Sequence, residues 1–193
     1  MQNLAAATPS LSIHMSKHSP PLIFRCRGPF ALFSRPELKT ERFSYEVPTP
    51  SALRGVVESV LWKPAIRWRI ERIEVLRSIQ FTSLRRNEVN YKAVAPAASV
   101  ISSGGPAPVL FADDSSTRAQ RNSVLLKDVD YLVHARFEMT RKAGPEETTT
   151  KFVEMFQRRL ARGQCFQQPY FGCREFVAEV FEQETTSPAP TPI

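Results

Sequence analysis

The sequence predicts an α+β chain of the split βαβ, ferredoxin-like kind (βαββαβ), carrying a long inserted basic hairpin. Three observations predict it. Apolar residues recur at helical spacing in two short segments and at strand spacing in others. Strand, helix and strand follow one another on each side of residues 84–127. Within that stretch Ala, Pro, Ser and Gly cluster around Pro96–Pro108, with basic residues on both flanks, a composition that suits an extended projecting hairpin.

The elements are justified in order. Residues 1–20 are small and polar, and are expected to be disordered. Leu22 to Phe33 reads as the first strand, with a bend at Gly28-Pro29. Ser34 to Val47 is a charged loop carrying Arg35, Lys39 and Arg42. Thr49 is a good N-cap and Pro50 a good first helical residue. Leu53, Val56, Val57, Val60 and Leu61 then form one apolar face, and Pro64 stops the helix. Gly55 inside it costs about 1 kcal/mol against Ala, a cost that close packing or an approaching ligand would justify. Ile66 to Leu76 is a long strand whose phase slips near Glu71-Arg72, so a bulge is expected there. Residues 129–139 alternate again: Tyr131, Val133, Ala135, Phe137 and Met139 against Leu132, His134, Arg136 and Glu138. Thr149 or Thr150 caps a second helix with Phe152, Met155, Phe156 and Leu160 on its apolar face, closed by Gly163. Phe171 to Phe181 reads as the last strand. The folded domain is thus expected over 21–183, and the Ser/Pro/Thr tail 184–193 is expected to be disordered.

Charge and cysteines narrow the function classes. The 193 residues carry a net charge of +7 and a pI near 9.7. Residues 1–96 hold 15 Lys/Arg and 7 Asp/Glu, and residues 97–193 hold 11 and 12. A basic half beside a neutral one suits a polyanionic partner. Cys26, Cys165 and Cys173 show no CxxC spacing, so neither a disulfide framework nor a zinc site is expected. Reduced thiols, no membrane-length apolar run and no signal-peptide pattern point to a cytoplasmic protein away from membranes. No metal-ligand spacing and no phosphate-binding glycine loop occurs, so no metal or cofactor is expected. A sheet with both helices on one face leaves the other free, the face that RNA-recognition domains use.

A resemblance sharpens this. The ordered words are Phe30-Ala31-Leu32-Phe33 with Arg35-Pro36-Glu37, Ser44-Tyr45, Pro50-Ser51-Ala52, Arg54-Gly55, Trp62-Lys63-Pro64-Ala65-Ile66 and Arg85-Arg86-Asn87-Glu88. Later come Arg121, Leu125-Leu126, Asp128-Val129-Asp130-Tyr131, Lys142-Ala143-Gly144, Gln167-Gln168-Pro169 and Gly172 with Arg174-Glu175-Phe176. Over residues 22–182 the chain resembles the CRISPR-associated "Cas-five" subunits of the Dvulg type, subtype I-C, within the RAMP superfamily. The resemblance implies a subunit of the Cascade antiviral surveillance complex, beside its backbone and large subunits. It implies a grip on the repeat and 5′ handle of the CRISPR RNA, aided by a projecting hairpin. It also implies metal-independent endoribonucleolytic cleavage of the precursor RNA. Relatives continue into a further strand-rich C-terminal segment, so a shortened or split member is expected.

Two departures concern that chemistry. Processing members commonly carry a tyrosine just before the Trp-Lys-Pro word, where Leu61 stands here. They carry a Lys-His pair at the start of the second helix, where this chain has Lys151-Phe152. Such cleavage needs proton transfer at the 2′-OH and the leaving oxygen, and charge stabilisation on the phosphate. Lys151 is the candidate for the last role, against the plain reading of an exposed helical lysine. Tyr45 and His134 are candidates for support, against stacking or packing for Tyr45 and an ordinary strand histidine for His134. Arg85 and Arg86 at the hairpin root, Arg118 and Arg121 on its return, and Arg42 and Arg54 are the candidates for RNA contact, because the guanidinium fork fits phosphate. Two further readings stay open: a structural subunit without nuclease activity, and a degenerate product.

Overall fold

The computed structural model describes residues 17–38, 40–92, 94–106 and 109–182. Residues 1–16 of the segment 1–20, and the tail 184–193, lie outside the described residues; residues 17–20, expected to be disordered, are instead held to the sheet, where Ser19 N donates to Phe137 O at 2.8 Å and Ser19 Oγ accepts from Phe137 N at 3.0 Å. The elements are β1 (Leu22–Ala31), β2 (Arg42–Phe43), α1 (Pro50–Val60), β3 (Ile66–Val75), β4 (Phe81–Val89), α2 (Ala98–Ser103), β5 (Arg118–Met139), α3 (Thr149–Ala161) and β6 (Glu179–Glu182).

Strand β5 organises the sheet. Along one edge it pairs antiparallel with β1, from Leu22↔Ala135 to Ala31↔Leu126. Along the other it pairs first with β4 and then with β3. β6 joins the outer edge of β1. The order β6-β1-β5-β3, all antiparallel, is the ferredoxin-like sheet. The phase slip expected near Glu71-Arg72 is present as a register shift between Ile70 and Arg72. At Asp128, φ is +51°, at the level where β5 changes partner from β4 to β3. Beyond that point β4 continues along the first half of β5; β2 joins the other side of β5, parallel, at Ser123–Val124, and past it β4 and β5 run on as a two-stranded arm. The tip of the arm holds α2.

Helices α1 and α3 cover one face. Thr49 Oγ1 accepts from Ala52 N at 3.2 Å and caps α1. α3 is capped by Thr148, whose Oγ1 accepts from Lys151 N at 3.2 Å; the expected cap at Thr149 or Thr150 is therefore one or two residues late. Both apolar stripes are buried: Leu53, Val56, Val57, Val60 and Leu61 on one helix, Phe152, Phe156 and Leu160 on the other. They close on Phe24, Trp68, Tyr131, Val133 and Phe137 from the sheet. Trp68 lies between Phe137 and Phe156, with ring centroids 5.2 and 4.9 Å away.

The last strand is shorter than its alternation suggested. Only Glu179–Glu182 pairs with β1; residues 170–178 form a tight loop instead. Phe176 N donates to Cys173 O, Phe171 N to Phe176 O, and Leu32 N to Phe171 O. Gly172 makes this possible. Its φ is +83°, and an added Cβ would lie 1.8 Å from Leu32 O. Phe171 and Phe176 thus reach the interior from a loop, which mimics a half-buried strand in sequence.

Candidate nucleic-acid interface

Two loops meet at one end of the sheet and build a basic groove. Thr140 N donates to Ala65 O at 2.8 Å, and Thr140 Oγ1 donates to Pro64 O at 2.7 Å. These bonds tie the segment after β5 to the segment after α1. The Trp62-Lys63-Pro64 and Lys142-Ala143-Gly144 words are thereby held near one another. The groove has a volume of about 940 Å³ and is lined by Lys17, Arg54, Lys63, Arg67, Arg141 and Lys142 against Glu58 and Glu138, with Trp62 on its wall. Arg54 pairs with Glu58 and Arg67 with Glu138. Among the described residues Lys63, Arg141 and Lys142 enter no ion pair, so their charge is available to a ligand. Trp62 is 55% exposed. Such a surface, cations beside a bare aromatic, suits a phosphodiester strand. Of the arginines singled out in sequence, only Arg54 lies here. The other groove cations come from separate segments whose individual lysines and arginines look ordinary; the ties at Thr140, and at Met139, whose N–H donates to Lys17 O at 2.8 Å, gather them.

The hairpin-root arginines form a different arrangement. Glu88 lies within 3.4 Å of Arg42, 3.7 Å of Arg86 and 3.5 Å of Arg121. Arg86 is also tightly paired with Glu175, which fastens the arm to the 170–178 loop. Arg85 Nε donates to Asn122 Oδ1 at 3.2 Å, and Arg118 is exposed at the far end of the pairing.

Lys151, Tyr45 and His134 are not brought together. Lys151 is exposed in the first turn of α3, next to Phe152, whose ring meets Phe137 edge-on at 6.3 Å. Tyr45 is half-buried; its N–H donates to Phe33 O, and the Arg35 guanidinium lies 5.3 Å from its ring centre. Phe33 in turn touches Tyr131. Tyr131 and Phe137 are six residues apart on β5, which places the two groups roughly 20 Å apart along the strand. His134 is on the opposite, helix-free face, with Nε2 2.7 Å from Glu74 Oε1. Leu61 and Phe152, the two departures, are both buried in the core.

The helix-free face is charged but largely self-paired. Arg25 clamps the buried Asp130 at 2.8 and 2.6 Å. Arg69 pairs with Glu138, Arg136 with Glu71, and Arg72 with Glu74. The basic groove, not this face, is the surface with cations to spare.

The model of the family described as CRISPR-associated protein (Cas_Cas5) matches residues 21–191. The chain belongs to this family. A Mannheimia succiniciproducens protein named CRISPR pre-crRNA endoribonuclease Cas5d is 46% identical over 163 residues, 84% of this chain and 72% of that protein. A Thermus thermophilus protein of the same name is 44% identical over 151 residues, covering 78% of this chain and 59% of its own length. These relatives support assignment to the Cas5 proteins of subtype I-C. Among solved structures, one described as a CRISPR-associated protein superposes with a TM-score of 0.61 at 22% identity, over 89% of this chain and 70% of that one. The functionally uncharacterized SMU1763c from Streptococcus mutans gives 0.58 at 22% identity, over 87% and 69%. Both show that the Cas5 chain shares their fold. Among the described residues no helix is long and apolar enough to cross a membrane.

Proposed function

We propose that this chain binds CRISPR RNA within the type I-C Cascade complex, grips the repeat-derived 5′ handle, and processes the precursor by metal-independent cleavage. The observation that carries the reading is the basic groove beside Trp62, together with 46% identity to a protein named as a pre-crRNA endoribonuclease. Lys63, Arg141 and Lys142 neutralise phosphates, and Lys151 stabilises charge that develops on the scissile phosphate. Arg85 and Arg118 extend the grip along the arm. Arg42, Arg86 and Arg121 share Glu88, so they hold the arm in place and contribute less net charge to RNA. Tyr45 and His134 lie outside the groove. The Cascade backbone and large subunits are the protein partners.

A second reading has its own support. Leu61 and Phe152 fill the core at the positions where the resemblance implies a tyrosine and a histidine, which favours RNA binding without cutting. Incubating the chain with labelled repeat RNA in EDTA at several pH values separates the two. Single-site cutting establishes the first reading; binding without cutting establishes the second. Failure to bind repeat RNA refutes both.

A further inference from the structure

A second groove, of about 440 Å³, opens off the basic one on the outer side of α1. The two share Glu58 and Trp62 in their walls. We propose that this side groove is a nucleobase pocket, in which one unpaired base of the RNA strand stacks against Trp62 and Phe166. The inference rests on the RNA-binding reading above and adds to it a site for the base itself.

The pocket is built rather than accidental. Ser59 O, in the last turn of α1, accepts from Phe166 N at 2.7 Å and from Gln167 N at 3.3 Å. These two bonds hold the segment after α3 against the helix and present Phe166 at the rim. Phe166 is 76% exposed and Trp62 55%, whereas Trp68, Phe137, Phe152 and Phe156 are buried. Bare aromatic faces beside a cationic track are the usual stacking platforms for single strands. Gly55 forms part of the wall, and a Cβ there would meet nothing within 4 Å. The helical glycine therefore answers to no close packing; it leaves room in the groove. Among the described residues the Gln167 side-chain amide makes no hydrogen bond to the protein, and so is available to a base edge.

The charge layout selects the ligand. Lys63, Arg141 and Lys142 lie on the basic side, whereas the side groove contributes one carboxylate, Glu58, and no further cation. A nucleotide has the matching polarity, with its phosphate toward the lysines and its base toward the aromatics. Glu58 is placed to accept from an exocyclic amine, a pairing carboxylates make with bases. An acidic peptide would satisfy the lysines but would bring a like charge, or nothing that stacks, to the side groove.

The test compares oligoadenylate with an abasic ribose-phosphate oligomer of equal length and charge. Trp62 is the exposed one of the two tryptophans, and Trp68 is 2% exposed, so emission quenched by added RNA reports Trp62. Oligoadenylate is expected to quench it and the abasic oligomer to leave it unchanged. Phe166→Ala is expected to weaken oligoadenylate binding by about 5- to 150-fold, the range for one lost base stack, with the salt slope and abasic binding unaltered. Gly55→Leu, which fills the groove from the helix side, is expected to do the same. Equal binding of both oligomers, with unquenched emission and no effect of Phe166→Ala, overturns the pocket while leaving the RNA-binding reading standing. If neither oligomer binds, the RNA-binding reading fails and the pocket with it.

Discussion

Removing three unpaired cations of the basic groove, by Lys63→Ala, Arg141→Ala and Lys142→Ala together, should change RNA affinity in a calculable way. Each side chain lines the groove without an acidic partner, so each is free to neutralise one phosphate. On a single strand the slope of log K against log salt changes by roughly 0.7 per phosphate. Three lost contacts should lower it by about 2. Carried from about 1 M to about 0.15 M salt, that slope corresponds to roughly a fiftyfold loss of affinity. The assay is filter binding of a single-stranded repeat RNA across a salt series. The pair Arg42→Ala with Arg121→Ala is the comparison. Both arginines lie against Glu88, so RNA must compete with a carboxylate for them, and their removal should change the slope by less than about 1. Among the described residues Lys63, Arg141 and Lys142 stand outside any ion-pair network, where changes in stability are usually within about 0.5 kcal/mol, so the affinity of the triple variant is not confounded by unfolding. An unchanged slope in the triple variant, or a larger fall in the arginine pair, would refute the reasoning.

The remaining predictions concern the fold. Arg25→Ala leaves the carboxylate of Asp130, only 1% exposed, with Arg77 3.8 Å away as its remaining ion partner; urea unfolding should show a loss approaching about 3 kcal/mol, the lower range for breaking a buried pair. Stability should also fall in alkali. Burial, and secondarily Asp130, hold the Cys26 thiol well above its ordinary 9.0; burial, then Cys26 and Asp130, raise Tyr131 above its ordinary 10.0. Above those ordinary values the unfolded chain loses protons that the folded chain keeps, so stability is complete below about pH 9 and declines by about 1.4 kcal/mol per pH unit per group. Cys26→Ala should remove the first part of that decline in urea midpoints taken from pH 8 upward, and an identical decline in this variant would count against it. Gly172→Ala should destabilise strongly, because φ is +83° and the new methyl meets Leu32 O; a thermal melt matching the parent would show that the loop simply shifts.

Much of the fold was legible because burial imposes periodicity. The α1 face, the β3 phase slip and the alternation of β5 all follow from residues that must face one core. The loop at 170–178 was misread for the same reason: Phe171 and Phe176 are buried, but turns at Cys173 and Gly172 bring them inward, and burial alone does not distinguish a loop from a strand. The binding surface was less legible still. Surface cations carry no periodic signature, so the sequence pointed to adjacent arginines such as Arg85-Arg86, whereas Lys17, Lys63 and Arg141 are brought together only by chain crossings. The charges of the hairpin root were visible, but their pairing with Glu88 and Glu175 was not, since the partners are separated by up to 89 residues.

The two departures at positions 61 and 152 acquire a physical meaning from where they sit. Leu61 is 0% exposed, and its carbonyl accepts from Trp68 Nε1 at 2.8 Å, so the backbone just before Trp62 is pinned to the core. Phe152 is 1% exposed against Phe137. Neither side chain can transfer a proton, and both contribute apolar burial worth about 1.5–3 kcal/mol each. The residues that build the interior therefore begin directly beside residues of the proposed site: Leu61 precedes Trp62 on the groove wall, and Phe152 follows the exposed Lys151. A polar group at either position would have to turn outward to solvent or remain buried without a partner, at a cost of roughly 1–3 kcal/mol. Stability and proton transfer thus compete for the same two positions. In this chain both have gone to the core, while the cations proposed to bind RNA stand in the groove.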